Sequence, residues 1–255
     1  MCGVQTPDTI DRISPTLAPD AQPLMHQSWH HLLFLHWEVP AAELQALLPS
    51  GLDLDTYEGI AYVGLIPFTL SGVRPVGIPA MPGLSSFHEV NVRTYVHRNG
   101  KDPGVWFFSL DASSMLAVTA ARAAYHLPYF NASIDFSAEE ALPTVRFQSH
   151  RDDTRGAMPA HAHIRYRPVE GPVQPAHPNT IEHFLMERYI LYAADEGKDL
   201  YKARVHHQPY PIQRAEVLQL DETLVWSAGL KRPQEPALRH YASRVDVNVY
   251  GLEKV

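Results

Sequence analysis

Glu89, Asn91, Arg93 and Tyr95 occupy every second position of residues 87–97, FHEVNVRTYVH, with Val90, Val92, Thr94 and Val96 between them. A period of two places the two sets on opposite faces of a β-strand. A carboxylate, an amide, a guanidinium and a phenol in one row are groups that recognise a ligand or move a proton. A glutamate enclosed by protein has its pKa raised toward neutrality and can act as a general base. Arginine suits a carboxylate, because its planar fork makes two parallel hydrogen bonds.

Two further arginines stand where helical periodicity expects apolar side chains. One is Arg122, on a stripe with Met115, Val118 and Tyr125; the other is Arg188, on a stripe with Ile181, Phe184, Leu185 and Tyr192. A guanidinium in such a slot either finds buried partners or snorkels to the edge of the stripe. Glu89 is therefore the catalytic candidate. Arg93, Arg122 and Arg188 are the candidate anchors, with Tyr95, Trp106, Phe108 and Tyr129 as walls. The placement of Trp106 and Phe108 depends on a strand register that spacing alone does not fix.

Other chemistry is missing. The chain contains no G-x-S-x-G, H-E-x-x-H, Walker loop, G-x-G-x-x-G or C-x-x-C motif. Cys2 is the only cysteine, which excludes an internal disulfide and a cysteine-built metal site. Of the fifteen histidines, His161 and His163 share a strand face, but Arg165 and Arg167 lie on that face too and would repel a cation. No metal and no cofactor are expected. Arg74, the one charge in the Gly/Pro-rich stretch 71–86, is either a solvated guanidinium or an anion contact.

Around these residues the elements read mainly as strands. Residues 29–38, 59–70 and 87–97 are strand-like, and Asn99-Gly100 turns the third into the apolar 105–110, VWFFSL. The polar face of that hairpin meets either solvent or a cavity. Pro40 opens a short helix, Ser113-Ser114 caps an alanine-rich one through Tyr125, and Asn179 with Glu182 caps a third running to Gly197. Residues 143–168 and everything from Leu200 on, including TLVWSAG at 223–229, read as β. Residues 1–24 read as a flexible N-terminal tail and 25–255 as a single domain.

The totals agree with a globular protein. Hydrophobic residues make up 45% of the 255, enough for a sizeable core. The net charge of −7 argues against nucleic acid as a partner, and no apolar run reaches the roughly 20 residues of a membrane helix. No signal peptide is visible, so the cytoplasm is the expected compartment. A homo-oligomer is left open.

The stretches WHHLLFLHWEVP, LLPSGLDLDTYEGIAYVGLIPF, FHEVNVRTYV, GVWFFSLDA, ARAAYHLPY and HFLMERYILY, in this order, resemble the YqjF-like family of uncharacterised proteins. That family is a domain of unknown function in the acetoacetate decarboxylase-like superfamily. The resemblance covers residues 29–249. It implies an α+β fold, mainly antiparallel β, with a barrel-like body, a few packed helices and an internal pocket. It implies no activity. Acetoacetate decarboxylases carry a lysine pair after a Gly-Arg-Glu helix end; Arg122 and Pro128 match that stretch, but Tyr129 and Phe130 stand at the lysine positions. Glu89 resembles the decarboxylase's active-site glutamate. Among the remaining lysines only Lys202 lies in a strand-like segment, beside Arg204, so amine-based decarboxylation is disfavoured.

Three functions follow as expectations. The first is binding of a small anionic or carbonyl-bearing molecule, such as a carboxylate or keto acid. The second is a lyase- or isomerase-like enzyme with Glu89 as general base. The third is a structural protein in which Glu89, Arg93 and Arg122 form a buried ion network.

Overall fold

The computed structural model describes residues 10–81, 85–139, 144–153 and 158–255. Within them the chain runs β1 (Met25–Val39), α1 (Ala41–Ala46), β2 (Asp53–Leu54), β3 (Ala61–Pro75), β4 (Phe87–Arg98), β5 (Lys101–Ala112), α2 (Met115–Tyr125), β6 (Tyr129–Ala138), β7 (Val145–Arg151), β8 (His161–Pro168), α3 (Ile181–Met186), β9 (Ile190–Ala194), β10 (Leu200–His207), β11 (Ile212–Glu222), α4 (Leu224–Ser227) and β12 (Leu238–Lys254). Most strand pairs are antiparallel; β5 pairs in parallel with β6 and with β9.

The pairings make barrel-like rings. β12, β1, β3, β4, β5, β9 and β10 follow one another by hydrogen bonding and return to β12. A second path leaves β5 through β6, β7, β8 and β11 and also ends on β12. The strands β1, β3, β4, β5 and β12 are thus shared, and β1, β3 and β4 are covered on both faces. Strands with both faces buried carry near-continuous apolar runs, as β1 does. Leu33, Leu35 and Trp37 of β1 enter a core with Val90, Val92, Phe147, Ile164 and Tyr166. Leu32 and Phe34 enter the other core, with Phe68, Tyr95, Val105, Val205 and Val249.

The hairpin read from sequence therefore has no solvent face in its middle. Val90 and Val92 are wholly buried on one side, and Glu89, Asn91 and Arg93 are 2%, 5% and 8% exposed on the other. Its partner strand runs close to β9: a Cβ on Gly104 would lie 2.6 Å from the carbonyl oxygen of Ile190. Only a residue without a side chain lets the two backbones approach in this way.

Several sequence expectations are corrected here. The third helix ends at Met186 rather than Gly197, and its cap is Thr180, whose side chain accepts from the His183 N–H. Residues 190–194 are instead strand β9, rich in the aromatic and branched side chains that favour strands and paired with both β5 and β10. Residues 224–227, read as strand, form the one-turn helix α4. The loop read at 71–86 is shorter, because β3 continues to Pro75 against Met25 and His26 of β1; residues 82–84 lie outside the described residues. The segment read as a tail is held to the body from Ile10 onward. Ile10 is buried, Arg12 pairs with Asp55 at 2.5 Å, and Arg204 donates to the Pro15 and Leu17 carbonyls at 2.8 Å each.

Among the described residues, no helix is long and apolar enough to cross a membrane.

Candidate functional site

Inside the ring that contains β9 and β10 lies a cavity of ≈ 140 Å³. Its walls come from β1, β3, β4, β5, β9, β10 and β12, with α2 at one side. Most lining side chains are apolar; the acids, amides and cations among them are Glu89, Asn91, Arg93, Arg188 and Gln27. The first three are successive inward positions of β4, so the period of two delivers them to one wall.

Glu89 is strongly perturbed by its burial. Burial pushes its carboxyl from an ordinary value of 4.5 up to about 7, against the pull of donors from Tyr129 and Asn91; the nearby Asp111 adds to the rise. The Tyr129 hydroxyl donates to Glu89 Oε2 at 2.8 Å, and the Asn91 amide donates to Oε1 at 3.4 Å. Burial and the neighbouring carboxylate in turn hold the Tyr129 phenol well above its usual range. The phenol of Tyr129 is thus bonded directly to the buried glutamate.

At the other end of the row is a cationic pair. Arg93 Nη2 donates to the Leu185 carbonyl at 3.1 Å, and its guanidinium lies 5.8 Å and 5.7 Å from the Phe34 and Tyr95 rings. Its Nε has no hydrogen-bond partner, and no carboxylate among the described residues pairs with it. Arg188 donates Nε to the Phe184 carbonyl at 2.6 Å and Nη1 to Asp55 at 2.8 Å, and stacks 4.3 Å over the Phe184 ring. Its Nη2 is buried and unpaired, as is Asn91 Oδ1. Buried polar atoms are rarely left without partners, so three orphans around one cavity are informative.

The remaining candidates fall elsewhere. Tyr95 is buried beside the arginines, with its hydroxyl 2.6 Å from His36 Nε2, and does not line the cavity. Trp106 and Phe108 face away. The ladder between β4 and β5 shifts between Val92 and Arg93, so Arg93 pairs with Phe107 and Thr94 with Trp106. Val105, Phe107 and Leu110 then take the cavity wall. Trp106 packs by Leu52 and Tyr192, and Phe108 against the opposite core.

Arg122 also stays outside the cavity. Its Nε donates to the Tyr129 carbonyl at 2.7 Å and its Nη2 pairs with Asp153 at 2.5 Å, so it fixes the segment that carries Tyr129. The ion network of Glu89, Arg93 and Arg122 is not formed. Arg74 does not line the cavity either, and its Nη1 donates to the Gly72 carbonyl at 2.9 Å.

Asp55 was missed by sequence reasoning. It is fully buried and joins Arg188 to Arg12. The Asp111–Arg151 pair, with contacts of 2.7 and 2.8 Å, was also missed; its guanidinium lies 4.3 Å from the Phe130 ring. His150, His161 and His163 gather with Asp221 on an outer face. His163 Nε2 faces His150 at 3.0 Å while its Nδ1 faces Asp221, so the nitrogens do not converge. Among the described residues, no group of three or more His, Cys, Asp or Glu side chains could hold a metal ion.

No lysine lines the cavity among the described residues, and Lys202 Nζ is bound to Asp102 at 2.8 Å. Incubation with acetoacetate and borohydride should therefore leave the intact mass unchanged. An adduct on Lys202 would overturn the assignment of that amine to the outer surface.

The model of the DUF2071 family, described as an uncharacterized conserved protein, matches residues 26–246. The uncharacterized protein YqjF of Bacillus subtilis (strain 168) is 40% identical over 236 residues, which span 92% of this chain and 94% of that protein. Among solved structures, the enduracididine biosynthesis enzyme MppR complexed with pyruvate superposes with a TM-score of 0.60 at 14% identity, over 92% of this chain and 91% of that one. Acetoacetate decarboxylase from Legionella pneumophila gives 0.57 at 14% identity, over 92% and 88%. At these identities the likeness is one of fold.

Proposed function

The chain belongs to the DUF2071 family of uncharacterized conserved proteins and has the fold of acetoacetate decarboxylase-like proteins, and from that premise we propose that it binds a small carboxylic acid carrying a carbonyl or hydroxyl group. The ligand's carboxylate sits on Arg93 and on the free Nη2 of Arg188. Its carbonyl or hydroxyl oxygen faces Asn91 and Glu89.

The observation that carries this reading is the buried guanidinium of Arg93, open to the cavity and without a carboxylate among the described residues. A desolvated cation is costly unless paired, and an anionic ligand supplies the missing charge. The MppR structure holding pyruvate is a neighbour in fold whose ligand belongs to the same chemical class.

Pyruvate and 2-oxobutanoate should raise the melting temperature, and Arg93→Gln should weaken their binding. Hydrogen bonds to charged groups contribute about 1.5–3 kcal/mol, or roughly a tenfold to hundredfold loss. Titration calorimetry on the two proteins measures it. Equal affinity in the variant would remove Arg93 from the site.

A second reading is favoured by the Glu89 carboxyl at about pH 7. A group poised there exchanges a proton efficiently near neutrality. With the acid's carbonyl turned toward it, Glu89 takes a proton from the adjacent carbon or returns one, a lyase- or isomerase-type step without an amine. Glu89→Gln then keeps the ligand and loses turnover; turnover at the wild-type rate would remove the residue from the chemistry.

A further inference from the structure

The cavity is polar at one end only, and its wall has an order. Along β3 and β4 the cross-strand pairs run Leu70 with Phe87, Phe68 with Glu89, Ile66 with Asn91, and Gly64 with Arg93. Trp29 of β1 pairs with Leu70, and Met25 with Val249. Glu89, Asn91, Arg93 and Arg188 are all buried, whereas Met25, Gln27 and Trp29 of β1, Ala121 and Tyr125 of α2, and Phe107, Tyr129 and Leu191 are only partly so. The more exposed side of the cavity therefore runs from the first half of β1 to α2 and the side chains packed with Tyr125, while both cations are buried, further along β4 than Glu89 or on the segment after α3.

The few polar groups at the rim are partly engaged with one another and with the backbone. Gln27 accepts from Trp29 Nε1 at 2.8 Å, and its own amide contacts Met25 Sδ at 3.5 Å. The Tyr125 hydroxyl donates to the Tyr250 carbonyl at 3.1 Å. No lysine or arginine lines the cavity besides Arg93 and Arg188 among the described residues. A second carboxylate on the ligand would find no cation at this end to pair with.

Resting on the carboxylate reading above, we infer that the ligand is a monocarboxylate with an apolar tail. It enters charged end first, and its tail lies between Trp29, Phe68 and Leu70 on one side and Ala121 and Tyr125 on the other. Dicarboxylates and sugar acids are disfavoured, because their second charge or hydroxyls would replace apolar contact along this wall and pair with no cation. A cavity of this order holds about six carbons, by comparison with the ~150 Å³ site that accepts benzene.

The test is calorimetric titration with sodium acetate, butyrate, hexanoate and octanoate, and with succinate and adipate. Affinity should rise about fourfold per methylene, the equivalent of ~0.8 kcal/mol of apolar burial, and level off near six carbons. Adipate should bind at least tenfold more weakly than hexanoate. Ala121→Leu, on a partly exposed helix position, should shift the optimum to shorter acids. A flat series from acetate to hexanoate, adipate equal to hexanoate, or an unchanged length profile in Ala121→Leu would each sink the tail while leaving the carboxylate site standing. No binding by any monocarboxylate, pyruvate included, would sink the carboxylate reading and the tail with it.

Discussion

Asp55→Ala should lower the unfolding free energy by about 3–5 kcal/mol, the range for removing one partner of a buried ion pair. Asp55 is wholly buried, and both of its oxygens are engaged: Oδ2 with Arg188 at 2.8 Å and Oδ1 with Arg12 at 2.5 Å. Taking the carboxylate away leaves Arg188 in the core, 2% exposed at its side chain, with aromatic faces and a carbonyl but no anion. In a chain of this size the loss corresponds to a fall of roughly 10 °C in Tm. Arg12→Gln is the control, since its side chain is 24% exposed and water can replace part of what it gives. Denaturant titration of both variants makes the comparison. A loss below about 1 kcal/mol for Asp55→Ala would mean that Arg188 is compensated from another source.

Glu89→Gln should stabilise the protein at alkaline pH and leave it nearly unchanged in acid. The direction follows from linkage. The folded carboxyl titrates near 7 and the unfolded one near 4.5. Between these values the folded state keeps a proton that the unfolded state has released, so stability falls as pH rises through this window. The loss is complete above about pH 7 and amounts to roughly 3 kcal/mol for a shift of this size. Glutamine resembles the protonated acid and does not titrate. The variant should therefore equal wild type near pH 4 and exceed it by up to ~3 kcal/mol near pH 8. Taking the difference between the two proteins at each pH cancels the buried histidines, such as His36 and His207, which burial holds neutral and which act in the opposite sense. A constant difference across the range would show that Glu89 does not carry the raised pKa.

The row Glu89, Asn91, Arg93 was legible because alternation is a local signal and both faces of β4 carry distinct chemistry. Arg188 was found through the wrong element. The periodicity that holds through Met186 continues by coincidence into Tyr189–Tyr192, where short apolar runs fit a strand as well as a helix. Its partner Asp55 lies 133 positions away, and nothing in the sequence near Asp55 announces the pairing. Trp106 and Phe108 were placed on the wrong wall because the ladder shift beside Arg93 inverts the parity of β5, and such a shift leaves no mark in a hydrophobic run. Tyr129 was singled out as a wall; its bond to Glu89 depends on Arg122 and Asp153 drawing its backbone into place, which only the packed chain displays.

β12 pairs with β1, β10 and β11, and it follows all three in the chain. As the polypeptide leaves the ribosome, those edges wait uncovered until residues 238–254 emerge. Bare strand edges invite pairing with other chains. The nascent protein is therefore exposed to aggregation along these edges until β12 has emerged and paired with them.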